Sequence, residues 1–119
     1  AYNANPTSMK NAIDSVMKFS DNEKILILGD MNELGDISSA EHTKLGIITS
    51  ELNLRNCIFV GKKMLDAHHS NKKSSWYNSY SDMEKAFSQM KFKGVDILVK
   101  GSRSLRLERI AGLLKKILS

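Results

Sequence analysis

Three short apolar runs, each closing on a glycine-containing turn, limit what this chain can fold into more than any other feature. Lys24-Ile25-Leu26-Ile27-Leu28 ends in Gly29-Asp30, Asn56 to Val60 ends at Gly61, and Val95-Asp96-Ile97-Leu98-Val99 closes on Lys100-Gly101-Ser102. Aliphatic runs with little polar alternation suit strands buried on both faces, as in a parallel sheet sandwiched between helices. Helical patterns separate them. Asn5-Pro6 followed by Thr7 and Ser8 reads as a helix start, with Asn5 as N-cap and Pro6 at the first helical position. Met9, Ala12, Ile13, Val16 and Met17 then recur at helical spacing to about Phe19. Leu45, Ile48 and Leu52 mark a second helix from about Ala40, and a short helix is expected around residues 62–67. Residues 76–80 suit an edge strand, where Trp76, Tyr77 and Tyr80 would pack. Ser81-Asp82-Met83-Glu84 has the pattern of a capping box opening a helix to about Met90. Ile110, Leu113, Leu114, Ile117 and Leu118 form the stripe of an amphipathic tail helix.

The expected class is therefore α/β: a three-layer, Rossmann-like, mostly parallel sheet with helices on both faces. The chain has 119 residues, which is one domain's worth. A doubly wound domain feeds its first helix from a strand, yet here the loop before that helix comes first. A truncated first strand, and hence an excised piece, is expected. In such sheets ligands bind beyond the carboxyl ends of the strands, here Gly29-Asp30, Gly61-Lys62 and Lys100-Gly101-Ser102.

Composition narrows the chemistry. A net charge of +5 favours anionic partners such as nucleotides or phosphates, although a solvated basic surface accounts for it equally. No RNP-type motif or zinc knuckle points to nucleic acid. One cysteine, Cys57, rules out an internal disulfide and makes the cytoplasm the expected compartment. Cys57 lies in an apolar strand pattern and reads as an inert core residue. No apolar run approaches the roughly 20 residues that span a bilayer, so no membrane partner is expected. His42, His68 and His69 do not have metal-ligand spacing, and no nucleophile–base arrangement is legible, so no metal and no catalytic residue is assigned. There is neither a G-x-G-x-x-G fingerprint nor a Walker A loop.

Three stretches offer binding chemistry. Asn3, Asn5 and Thr7 place amide and hydroxyl groups beside a helix N-terminus, which favours an anion or a sugar hydroxyl; ordinary capping explains the same residues. Asp30 beyond a glycine at a strand end either points a carboxylate at substrate or caps a turn. Lys100-Gly101-Ser102-Arg103 sets two cations around a flexible turn, suited to a carboxylate or phosphate or simply to solvent.

The order of residues goes further than the chemistry. Tyr2-Asn3-Ala4-Asn5-Pro6-Thr7-Ser8-Met9, Ile27-Leu28-Gly29-Asp30-Met31-Asn32-Glu33-Leu34-Gly35, Glu41-His42, and Val99-Lys100-Gly101-Ser102-Arg103 with Leu105-Arg106-Leu107-Glu108 occur in sequence. Together they closely resemble the C-terminal domain of the Mur ligase superfamily, in the branch that joins D-alanyl-D-alanine to a UDP-N-acetylmuramoyl-tripeptide. The resemblance covers nearly the whole chain and is weakest over residues 71–90. An acidic residue that the family carries immediately before Ala1-Tyr2 has no counterpart here, so the front of that loop is expected to be incomplete.

The resemblance implies an ATP-dependent amide-forming ligase of peptidoglycan synthesis, with this chain as a lid. Separate N-terminal UDP-binding and central ATPase domains would be its partners, and ATP and magnesium would be held mainly by the central one. The substrates would be UDP-muramyl tripeptide and D-Ala-D-Ala, the protein a monomer, and the isolated chain inactive. Asn3, Asn5, Thr7, Asp30, Lys100, Gly101 and Ser102 would contact nucleotide or substrate, supported by Tyr2, His42 and Arg103. A sister ligase adding another amino acid, and a free-standing small-molecule-binding module, are the competing readings.

Overall fold

The computed structural model describes residues 4–88 and 92–101. Four helices and four strands follow one another as α1 (Pro6–Phe19), β1 (Glu23–Gly29), α2 (Ser38–Ser50), β2 (Asn56–Val60), α3 (Leu65–His69), β3 (Ser75–Tyr77), α4 (Tyr80–Phe87) and β4 (Val95–Lys100), with a 3-10 turn at Gly35–Ile37 before α2. The strands form one sheet in the order β3-β2-β1-β4, and every pairing is parallel. The α/β class expected from the three apolar runs is what the chain adopts. The tail helix and its stripe lie outside the described residues.

The period-2 alternation of β1 sorts its side chains between two layers. Leu26 and Leu28, with Cys57 and Phe59 opposite them in register, pack under α1, α2 and α3 through Met9, Ile13, Leu45, Met64 and Ala67. Ile25 and Ile27, with Ile58 and Val60, face Tyr80, Met83 and Phe87 of α4 and Phe92. Leu26, Leu28 and Phe59 are fully buried, each burial contributing roughly 1.5–3 kcal/mol. Cys57 is part of this core, and burial pushes its thiol up to about 12, consistent with an inert residue. Among the described residues no helix is long and apolar enough to cross a membrane.

Three local expectations need correction. The cap of α4 is Ser79, not Ser81: Ser79 is extended (φ −138°, ψ 161°) and its hydroxyl accepts the Asp82 N–H at 3.2 Å. Starting there puts Tyr80, Met83 and Phe87 on one buried stripe, so Tyr80 opens a helix rather than ending the edge strand. Helix α3 begins at Leu65, three residues later than expected, because Gly61 takes φ +114° and the following lysines complete a turn. Helix α2 begins two residues earlier than Ala40, continuing from the 3-10 turn.

One buried charge accompanies the central strand. Lys24 is 3% exposed, and its ammonium donates to the Asp96 carboxylate at 2.7 Å and to the Ser20 carbonyl at 2.8 Å. The two residues are register partners across β1 and β4, so the ion pair ties the amino ends of those strands to the end of α1. A buried lysine without such partners would be strongly destabilising. The Lys24 ammonium, then the Ser20 hydroxyl, hold the Asp96 carboxyl down to about 2 from 3.8. Because the folded state depresses this group, its stabilisation is present above the ordinary carboxylate value and is lost as pH falls from about 4 towards 2. Asp96→Asn should therefore melt below the unsubstituted chain at pH 7, and the gap should narrow through that acid window, as read by thermal melts across pH.

Candidate functional site

All four strands being parallel, their carboxyl ends share one edge of the sheet. Only residues 20–22 separate α1 from β1, so α1 runs back against the strand and delivers its N-terminus to that same edge. The sequence concentrates its polar loops there: the start of α1, Asp30 after β1, Gly61 after β2, and Lys100-Gly101 at the end of β4.

Asn5 is the N-cap of α1, extended at φ −133°, ψ 168°. Its side-chain oxygen accepts the Ser8 N–H at 2.9 Å while the Ser8 hydroxyl accepts the Asn5 N–H at 3.1 Å. That reciprocal box occupies the Asn5 side-chain oxygen, so the capping account of this residue holds. Ala4 before it is buried against the Met9 and Met31 layer and anchors the loop. Thr7 is exposed on the first turn. It lines, with Pro6, Lys10, Met31, Lys44 and Leu45, a groove of about 460 Å³ between α1 and α2.

Asp30 is half-buried where β1 ends. Its carboxylate accepts the Met64 N–H at 3.1 Å, so it caps the turn after β2 rather than its own following segment. Burial raises its carboxyl above 3.8, opposed by the Met64 N–H and by the Lys63 cation nearby. A Cβ on Gly61 would collide with that carboxylate, so glycine is required there both for φ +114° and for the close approach. Lys63 in turn donates to the Asn32 side-chain oxygen at 2.9 Å.

His42 is fully buried and acts behind the edge rather than on it. The Met31 N–H donates to Nε2 at 3.0 Å, so Nε2 carries no hydrogen; Nδ1 lies 2.8 Å from the Ser38 carbonyl, which can only accept. The ring is thus the Nδ1–H tautomer, bridging α2 to the residue after Asp30. Lys100 is the last residue of β4, in register with Leu28, and Gly101 follows it. Tyr2, Asn3, Ser102 and Arg103 lie outside the described residues. Asp30, the α1 start, His42 and the β2–α3 turn are therefore gathered at one end of the sheet.

A protein-family model described as "Mur ligase, glutamate ligase domain" matches residues 1–103. The chain belongs to the Mur ligase family. Among its relatives, the UDP-N-acetylmuramoyl-tripeptide–D-alanyl-D-alanine ligase of Bacillus subtilis is 36% identical over 92% of this chain and 26% of its own length. The ligase of the same name from Treponema pallidum is 32% identical over 97% of this chain and 26% of its own length. A crystal structure of MurF from Acinetobacter baumannii superposes with a TM-score of 0.83 at 30% identity, over 98% of this chain and 27% of that one. The chain thus spans about a quarter of the length of the curated relatives it matches.

In this Mur ligase domain the sequence reading named Gly61-Lys62 as a ligand-facing strand end but assigned no site residue to the β2–α3 turn. Gly61-Lys62-Lys63 carried a legible signal, a glycine at a strand end followed by two cations, but nothing local indicated that Asp30 would reach across to Met64. Two substitutions measure the scaffold. His42→Ala leaves the Met31 N–H without its partner and a ring-sized void, and should cost roughly 2–4 kcal/mol in denaturant unfolding. Asn5→Ala removes one half of the capping box and should cost about 1 kcal/mol.

Proposed function

We propose that this chain is the closing domain of a longer ATP-dependent ligase that joins D-alanyl-D-alanine to a UDP-N-acetylmuramoyl-tripeptide. The observation that carries the reading is the coincidence of two facts. Relatives bearing that activity in their names match the chain almost end to end, and the described motif residues Asn5, Thr7, Asp30, Lys100 and Gly101 fall on the carboxyl edge of the parallel sheet, where α/β folds bind ligands. In a structure of MurF from Thermotoga maritima in complex with ADP, the matching region superposes with a TM-score of 0.79 at 25% identity.

In this reading the tripeptide carboxyl is activated as an acyl phosphate at the expense of ATP, the dipeptide amine attacks it, and phosphate leaves. An N-terminal domain would hold the UDP moiety and a central domain the triphosphate. Magnesium would be held with the phosphates, mainly by the central domain.

This chain's residues then work by binding and by closure. Asn5 is committed to the helix cap, and Asn3, two residues before it, is the amide proposed to meet nucleotide or dipeptide. The Thr7 hydroxyl stands exposed on the first turn of α1, whose free N–H groups favour an anion. Asp30 is oriented by Met64, and Lys100 and Gly101, followed by Ser102, offer a cationic turn across the same edge. Tyr2 and Arg103 would support these contacts. Bringing this edge down on the central domain would exclude water from an intermediate that hydrolyses readily.

The test is turnover. Full-length protein supplied with ATP, UDP-muramyl tripeptide and D-Ala-D-Ala should release ADP and form the amide, with glutamate failing to replace the dipeptide. The 119-residue chain alone should not turn over; activity in it would end the lid reading. In the full-length enzyme Asn3→Ala should lower kcat/KM by roughly two- to twelvefold, the loss of one neutral hydrogen bond, without lowering the melting temperature.

A further inference from the structure

Helices α1 and α2 pack on the same face of the sheet, and both begin at its carboxyl edge. Helix α2, like α1, runs back from that edge to the start of the next parallel strand. The groove between them holds about 460 Å³, within the range of roughly 300–1,000 Å³ that small-molecule sites occupy. Its floor is apolar: Met9, Ile13, Met31 and Leu45 line it and are at most 5% exposed. The rest of the lining is sorted along the two helices. Thr7 and Glu41 stand nearest the edge, and Lys10 and Lys44 follow three residues further on, about 4.5 Å inward. Ile13 and Ile48 come about one turn after them.

That order selects among occupants. A triphosphate suits neither the apolar floor nor the Glu41 carboxylate. Two lysines against one glutamate leave a single net positive charge, enough for one carboxylate. Lys44 is only loosely paired with Glu41, at 3.7 Å and with its side chain 67% exposed, so a ligand competes easily for its ammonium. The lining matches a small zwitterion with apolar side chains: a carboxylate between the lysines, methyl groups on the floor, and an amine at the Glu41 end.

We propose that this groove seats D-alanyl-D-alanine, with Lys10 and Lys44 holding its terminal carboxylate. The inference rests on the ligase reading and adds to it the seat of the second substrate. A dipeptide fills only part of the groove. The mouth at Pro6 and Thr7 stays open, and the amine reaches the sheet edge there.

Steady-state kinetics and thermal melts on the full-length ligase test it, with D-alanyl-D-alaninamide as the dipeptide that lacks a carboxylate. The unsubstituted enzyme should use the amide roughly tenfold less well in kcat/KM or worse, the loss of charge-assisted contacts. Lys10→Gln combined with Lys44→Gln should raise the KM for D-Ala-D-Ala by roughly tenfold or more and should use the two dipeptides about equally. The KM values for ATP and UDP-muramyl tripeptide should stay within about twofold, and the melting temperature should not fall. A double variant that still prefers the free dipeptide by the original factor overturns the inference, because the carboxylate is then held elsewhere. Equal use of both dipeptides by the unsubstituted enzyme overturns it, as does a rise in the ATP or tripeptide KM in place of the dipeptide's. A lower melting temperature with equal losses for every substrate makes the lysines structural and overturns it too. Absence of turnover in the unsubstituted full-length protein overturns the ligase reading itself, and is seen before any variant is made.

Discussion

Strand β1 is hydrogen-bonded along both edges, to β2 and to β4, and buried on both faces. Its aliphatic side chains alternate between two helical layers, so a one-residue slip of its register would put each set against the wrong layer. Everything else is arranged around that position. The helices must lie on opposite faces, the crossovers must be long enough to return the chain to the same edge, and the loops at the carboxyl ends must converge. The strand's first internal residue is a lysine, and the fold accommodates it by placing Asp96 beside it in register.

The two ends of β1 consequently serve different purposes. At the amino end charge is locked away: Lys24, Asp96 and Ser20 satisfy one another, and Asn22 donates to the remaining carboxylate oxygen at 3.2 Å. At the carboxyl end polar groups are held but left partly open to solvent. Asp30 is held by the Met64 N–H, Thr7 is exposed, and Glu33 is presented from a strained turn. His42 connects these facts, since its ring joins the buried layer under α2 to the loop that follows β1. A locked base and a pre-arranged but unsaturated edge are what a domain needs if its contacts are completed only when it meets another domain.

Much of this was legible in the residues. The apolar runs of β1, β2 and β4 and the Asn5-Pro6 start of α1 were read directly, because strand burial and helix capping are local in sequence. The cap of α4 was misread by two positions because Ser79 and Ser81 are both serines ahead of acidic residues. Only the burial of Tyr80 against the sheet decides between them, and that is tertiary. Lys24 was read as the head of an apolar run, since nothing within five residues of it announces Asp96, 72 residues away. The same limit hid the pairing of Asp30 with Met64, 34 residues apart. Asn3, Asn5, Thr7, Asp30 and Lys100 were placed in the candidate site by the order of motifs rather than by their chemistry. Of the described four, Asn5 proves to be a cap first.

The central claim is that the carboxyl edge of this sheet meets the rest of a ligase when nucleotide and substrates are bound. Amide hydrogen exchange on the full-length protein, with and without ATP analogue and UDP-muramyl tripeptide, reads that contact directly. Protection should appear in residues 1–10 and 30–36 and around residues 61–64, while residues 20–24 and 53–56 at the opposite end stay unchanged. Protection confined to the opposite end, or no change at the carboxyl edge with both ligands bound, would contradict the account.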